Sequence, residues 1–218
     1  MDEALDVNAK QVLYGFHSAC SYGHTEIVKL LLDEVDVNAK QALHGFHSAC
    51  LYGHTEIIKL LLGKGADVND EQALDGLASA CQNGYTAIVK LLLDEADVNA
   101  KQALHGFHSA CFFGHTEIVK LLLDKGVAVT AQQALNGLHS ACFYGHTEIV
   151  KLFLDCGADA NAEEALNGLH DAYSRGHVEI VKLLLDKGSH LNDQQSLDGF
   201  KSHLEIMISA DKKRKREE

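Results

Sequence analysis

Proline is absent from all 218 residues. No helix in this chain can open on the proline that often presets the first helical position, so helix starts fall to polar caps. Long apolar runs are also missing. Hydrophobic residues reach an ordinary 46%, yet no run approaches the roughly 20 residues that a membrane-crossing helix needs, so a membrane is not expected as a partner. The start, MDEALDVNAK, has neither the basic residues nor the apolar stretch of a secretory signal, and a cytoplasmic protein is expected. Positive charge is scarce as well: 19 Lys and Arg stand against 31 Asp and Glu, for a net charge of −12. Five of those cations sit in the last eight residues, DKKRKREE, leaving 14 basic and 28 acidic residues in the rest. Such a body repels a nucleic-acid backbone.

What is present is repetition. GHTEIVKLLL opens at Gly23 and Gly114, with GHTEIIKLLL at Gly53, GYTAIVKLLL at Gly84, GHTEIVKLFL at Gly145 and GHVEIVKLLL at Gly176. Their first glycines are 30, 31, 30, 31 and 31 residues apart, the signature of a repeat array. Each copy reads as a helix. In the fourth, Ile118, Leu121 and Leu122 recur at i, i+3 and i+4, Glu117 lies in the first turn, and Gly114 is placed to end the preceding helix in the left-handed conformation. No unit can bury such a stripe within itself, so stacking must do it.

Upstream of each copy runs a second pattern, NAKQALHGFHSAC at 38–50 and its relatives from Asn8, Asn69, Asn99, Thr130, Asn161 and Asn192. In all seven an Asn or Thr precedes a Gln or Glu by three residues, which predicts a capping box and a helix of about 13 residues ending at the glycine of the next copy. Leu104, Phe107 and Cys111 make its large stripe, and Ala103, Gly106 and Ala110 let neighbouring helices approach. Between units lies GADVN or a shortened relative. Where the glycine is missing, in DEVDVN and DEADVN, the period falls to 30 and the helix must end by another device.

Five of the six cysteines, Cys20, Cys50, Cys81, Cys111 and Cys142, fill one repeated slot. That is a copied packing position, expected to be buried and reduced, whereas disulfide frameworks and zinc sites use varied local spacings. Cys156 stands outside the slot. The 14 histidines fall mostly into two slots: His17, His47, His108, His139 and His170, then His24, His54, His115, His146 and His177. Clusters such as His44, His47 and Cys50 are spaced i, i+3 and i+6, so the outer two diverge by about 120° and cannot share one ion. No metal site is expected. Every Cys–His pairing exists in several equivalent copies, whereas an active site needs one distinct environment. No phosphate-cradling glycine loop and no singular carboxylate pair appear either, so neither a catalytic residue nor a cofactor is assigned.

Together, GHTEIVKLLL, GADVN and the HSAC segment resemble the ankyrin repeat over nearly residues 1–208, most specifically in the second helix and the loop after it. The resemblance implies a stack of helical hairpins, histidine slots that bind loops and neighbouring repeats together, and a concave face that contacts protein partners. Two departures stand out. The Thr-Pro-Leu-His start of the family's first helix is replaced by residues such as His44, Gly45, Phe46 and His47, and the period is two or three residues shorter than the family's, the shortfall falling in its β-hairpin finger. The expected fold is all-α: an α-solenoid of stacked helix-turn-helix repeats, with the fingers reduced or replaced by extended first helices. Residues 1–210 are expected to form one domain of six hairpins and a C-terminal capping helix, marked by Lys201 and His203, followed by a basic tail at 211–218. DEALDVN, at 2–8, reads as the tail of a preceding repeat, which points to an upstream truncation or to self-association at that end.

Positions that vary between repeats are free of the scaffold and carry the candidate site. The pair before each GH (or GY) comprises Ser21 and Tyr22, Leu51 and Tyr52, Gln82 and Asn83, Phe112 and Phe113, Phe143 and Tyr144, and Ser174 and Arg175. In the resembled family this pair faces partners, so Tyr22, Tyr52, Phe112, Phe113, Phe143, Tyr144 and Arg175 are candidate contacts, joined by His44 and His105 before the first-helix glycine. Packing between repeats is the competing role for Phe112 and Phe143. The third repeat is the deviant, with Ala78 and Tyr85 in the histidine slots and Asn83 interrupting the aromatics. Lys212, Lys213, Arg214, Lys215 and Arg216 resemble a nuclear localisation signal, a solvated terminus being the alternative. The resulting expectation is a non-enzymatic protein-interaction scaffold taking a basic or amphipathic partner segment, with a structural or spacer module of a larger protein as the alternative.

Overall fold

The computed structural model describes the backbone of residues 2–95 and 101–187, with side chains from residue 10 onward. The expected capping helix, the tail at 212–216 and the caps at Asn99 and Asn192 lie outside these residues, and so does the side chain of Asn8. Twelve helices, arranged as six hairpins, account for the described structure, and no strand occurs among the described residues. The chain separates into two compact units, Met1–Ala128 and Val129–Glu218.

In the first unit, α1 (Asp2–Tyr22), α3 (Lys40–Tyr52), α5 (Glu71–Asn83) and α7 (Lys101–Phe113) pack side by side as the first helices of successive repeats. The second helices, α2 (Thr25–Leu31), α4 (Thr55–Gly63), α6 (Thr86–Leu93) and α8 (Thr116–Asp124), form a parallel row. In the second unit α9 (Ala131–Tyr144) packs on α11 (Glu163–Arg175), and α10 (Thr147–Asp155) on α12 (Val178–Asp186). Residues 2–8 continue α1 as helix; they are not a loop-like tail.

The helical period is visible in what is buried. In α3 these are Ala42, Leu43, Gly45, Phe46, Ala49 and Cys50, and in α4 Ile57, Ile58 and Leu61. Phe46, Ile57, Ile58 and Leu61 are all below 2% exposed, each contributing about 1.5–3 kcal/mol on burial. Among the described residues the fingers are reduced to short loops without strands. Residues 33–39 are an irregular stretch of turns and bends, while the first helix of each later repeat runs 13 or 14 residues and the second 8 or 9.

The glycine before each second helix takes the left-handed conformation, with φ from 74° at Gly23 to 83° at Gly145. After α4 the loop glycine Gly65 does the same, and the chain turns through Gly65 N–H to Leu62 C=O and Ala66 N–H to Leu61 C=O. After α2 and α6, where that glycine is missing, a tighter turn closes instead: Glu34 N–H donates to Leu31 C=O, and Glu95 N–H to Leu92 C=O.

The capping boxes correct the sequence expectation. Among the described residues Thr130 alone forms one, its hydroxyl accepting from Gln133 N–H while the Gln133 side chain accepts from Thr130 N–H. Elsewhere the cap is the residue after the asparagine: Ala39, Asp70 or Ala162. Asn38 has another partner. Its amide donates to Gly65 C=O and its oxygen accepts from Asp67 N–H, linking two successive loops. Asp36, Asp67 and Asp159 each accept from the backbone N–H two residues on, an Asx turn that places the asparagine.

Candidate functional site

Two repeated slots fix the geometry from which the variable residues project. In the first, the cysteine of one repeat faces the first-helix glycine of the next. A Cβ on Gly106 would meet Cys81 Sγ at 2.8 Å, one on Gly76 would meet Cys50 Sγ at 3.0 Å, and one on Gly168 would meet Cys142 Cβ at 3.0 Å. The cysteines are buried, and burial raises the thiols of Cys20, Cys81, Cys111 and Cys142 to about 12 and that of Cys50 further still. At neutral pH they are protonated packing groups.

In the second slot, a histidine ring lies over the left-handed glycine of the previous repeat. His54 Nε2–H donates to Ser21 C=O at 3.1 Å, His115 to Gln82 C=O at 3.0 Å, and His177 to Phe143 C=O at 3.3 Å. The space is so close that a Cβ on Gly23 would stand 2.7 Å from the His54 ring. These histidines occupy the N-cap position of the second helix yet make no cap bond, because the ring is spent across the repeat boundary. The other histidine slot also crosses repeats: His17 is hydrogen-bonded to Ser48, His47 to Ser79, and His139 donates to the Asp171 carboxylate at 2.8 Å. Both slots therefore do what the repeat resemblance implied. Among the described residues no three His, Cys, Asp or Glu side chains are placed to hold a metal ion.

The deviant third repeat compensates for its changes. Tyr85 sets its ring over Gly53, 2.9 Å from where a Cβ would be, as the histidines do elsewhere. The carbonyl that a histidine there would take, Leu51 C=O, accepts instead from the Asn83 amide at 3.5 Å. Asn83 is the residue that interrupts the aromatics, and no sequence pattern flagged this exchange.

Against this frame the variable pair stands at the end of each first helix. In the first unit Tyr22 is 75% exposed, Tyr52 57%, Phe113 48% and Phe112 41%. Phe112 and Phe113 meet edge to face, with centroids 4.8 Å apart. Tyr52 and Phe113 lean on the histidine two residues on, at 6.4 Å in both cases. In the second unit Phe143 and Tyr144 repeat the edge-to-face pair; Tyr144 is exposed, Phe143 half-buried, and the Arg175 guanidinium lies 3.4 Å from the Phe143 centroid. His44 is half-buried and His105 exposed, one on α3 and one on α7. A groove of about 640 Å³ opens beside Tyr22 and Tyr52.

The profile of ankyrin repeats matches three overlapping stretches, residues 4–72, 46–133 and 107–195. The chain belongs to the ankyrin repeat family. Solved structures agree: 215 chains match, and one of them is the crystal structure of the human ASB11 ankyrin repeat domain, 30% identical, with a TM-score of 0.69 over 82% of this chain and 85% of that one. No curated protein matches the sequence. Ankyrin repeats are protein-interaction modules, typically without enzymatic activity. Among the described residues no helix of this ankyrin chain is long and apolar enough to cross a membrane.

Proposed function

We propose that the chain is a non-enzymatic scaffold that holds a protein partner on the concave side of its repeats, through the residues preceding each second helix. The observation that carries this reading is where the exposed hydrophobics lie. Eight large apolar side chains are exposed among the described residues, and five of them, Tyr22, Tyr52, Phe112, Phe113 and Tyr144, fall in that one pair of slots. Aromatic side chains exposed at a repeated position, directly after an alanine and a cysteine slot that are buried, are what an interface core draws on. The acidic chain, at a net −12, favours a basic or amphipathic partner segment. Replacing Tyr52, Phe113 and Tyr144 by Ala is expected to abolish capture of the partner from lysate, read by mass spectrometry, with thermal stability nearly unchanged. A large stability loss would make them core residues and end the reading.

A second reading, a structural module that stacks on a further element or on a second copy, is favoured by α2. Ile27 is 46% exposed and Leu30 78%, whereas the residues matching Ile27 in later repeats, Ile57, Ile88, Ile118, Ile149 and Ile180, are fully covered. The mass of the assembly in solution tests it, a monomer removing self-association. The basic residues Lys212, Lys213, Arg214, Lys215 and Arg216 are proposed to direct nuclear entry, and an unchanged distribution on deleting them refutes that.

A further inference from the structure

We propose that the groove between the first two repeats is a receptor for an arginine side chain of the partner, an inference that rests on the interaction reading above. The groove, about 640 Å³, is lined by His17, Ser18, Ser21, Tyr22, Ser48 and Tyr52 together with the ring of His54, and among the described residues no lysine or arginine borders it. Repeat symmetry places the equivalent positions inside the second unit, between its two repeats. There Ser21 corresponds to Phe143, Ser48 to Asp171 and Tyr52 to Arg175.

At those positions the chain supplies its own cation. The guanidinium of Arg175 lies 3.4 Å from the centroid of Phe143, a cation–π pair built from adjacent repeats. In the groove of the first two repeats the two roles are exchanged. An aromatic ring, Tyr52, holds the slot of the cation, and Ser21 offers a small hydroxyl where the second unit has a phenyl ring. What remains is an open volume with aromatic walls and no cation of its own. A guanidinium delivered from outside completes the same pair with the partners reversed, and the hydroxyls of Ser18, Ser21 and Ser48 supply acceptor oxygens for its five N–H donors. Arginine suits the groove better than lysine because its planar, weakly hydrated head stacks on a ring while still donating at its edge. The net charge of −12 draws such a cation toward the chain.

The test is a titration of the isotope-labelled full chain, followed by amide NMR. The probe is acetyl-Gly-Gly-Arg-Gly-Gly-amide, beside the same peptide with Gln for Arg. Saturable shifts at Ser21, Tyr22, Ser48 and Tyr52 with the arginine peptide alone are expected. The double variant Ser21→Phe, Tyr52→Arg installs the self-filled pair of the second unit and should remove them. Tyr52→Leu keeps apolar bulk without a π face, and is expected to weaken binding about two- to five-fold even if the double variant folds poorly. Equal shifts with the glutamine peptide, or shifts confined to another surface, overturn the proposal. If the Tyr52, Phe113 and Tyr144 triple variant loses its partner while a folded Ser21→Phe, Tyr52→Arg chain retains both partner and arginine peptide, the scaffold reading stands and the receptor falls.

Discussion

Substituting Gly106 by Ala should destabilise the protein, although an alanine is the better helix former. In an unobstructed helix interior the change contributes about 1 kcal/mol of stability. At Gly106 the new methyl would stand 2.8 Å from Cys81 Sγ, closer than real Cβ atoms come, and a tight 3.0 Å from Cys81 Cβ. Both atoms belong to a short, fully buried side chain with no room to swing away, so the overpacking costs about 1–3 kcal/mol. The net is a loss of roughly 0–2 kcal/mol, or a few degrees in Tm at this chain length. The repeats provide their own controls. Gly15 has nothing within 4 Å of the same position, so Gly15→Ala should stabilise by about 0.5–1 kcal/mol. Gly45, at 3.3 Å from Cys20, should fall between, and Gly76 and Gly168, at 3.0 Å, should sit near Gly106. Urea unfolding followed by circular dichroism ranks the five variants. Adding Cys81→Ala to Gly106→Ala should recover stability, with a coupling of about 0.5–3 kcal/mol in the double-mutant cycle. If Gly106→Ala raises the midpoint as much as Gly15→Ala does, the close cysteine–glycine packing is wrong.

Thiol labelling gives a second check. With Cys20, Cys81, Cys111 and Cys142 buried and raised to about 12, Cys50 raised further and Cys156 exposed, one thiol should react with a disulfide reagent in the native protein and six after denaturation. More than one fast thiol contradicts the burial. Mild acid gives a third. Burial lowers the pKa of His47, with Asp75 opposing and His44 adding to the shift, and burial followed by the nearby His105 lowers that of His108. Below the ordinary histidine value of about 6.5 the unfolded chain takes up protons that the folded one resists, so Tm should fall as pH drops from 7 toward 5. Changing both to Gln should flatten that slope, and an unaltered profile would place the titration elsewhere.

The repeat frame was legible because its signals are local and copied. The stripe of Ile118 and Leu122, the left-handed glycines and the single cysteine slot all followed from spacing, and the missing strands followed from the shortened period. The helix starts were less legible. Asn38 and Thr130 occupy equivalent places, and both can accept a backbone N–H, but a loop 29 residues away presents Asp67 N–H to Asn38. A long-range partner outcompeted the local cap there, and nothing in the thirteen-residue pattern records it. The Asp-Val-Asn triplet did hold a readable signal, since an aspartate two residues before an asparagine is the mark of an Asx turn. For the surface, the sequence separated variable from constant slots. It did not show that Arg175 would rest on Phe143, because that contact joins residues 32 apart and depends on two repeats packing in register.

The histidine clasp between repeats has a bearing on how such an array changes length. The clasps of His54, His115 and His177 join the same two slots of adjacent repeats: a ring donated from one, a carbonyl and a bare glycine offered by the one before. A repeat with the histidine clasp, excised or inserted whole between repeats of the same kind, therefore leaves junctions of the kind that was there already, with no donor stranded and no glycine exposed to a mismatched neighbour. Growth and loss by unequal recombination would be close to neutral for the backbone. What such an event would alter is the order of the exposed aromatics, so an ancestor lengthening its array would have been rewriting its recognition surface while the architecture stayed indifferent.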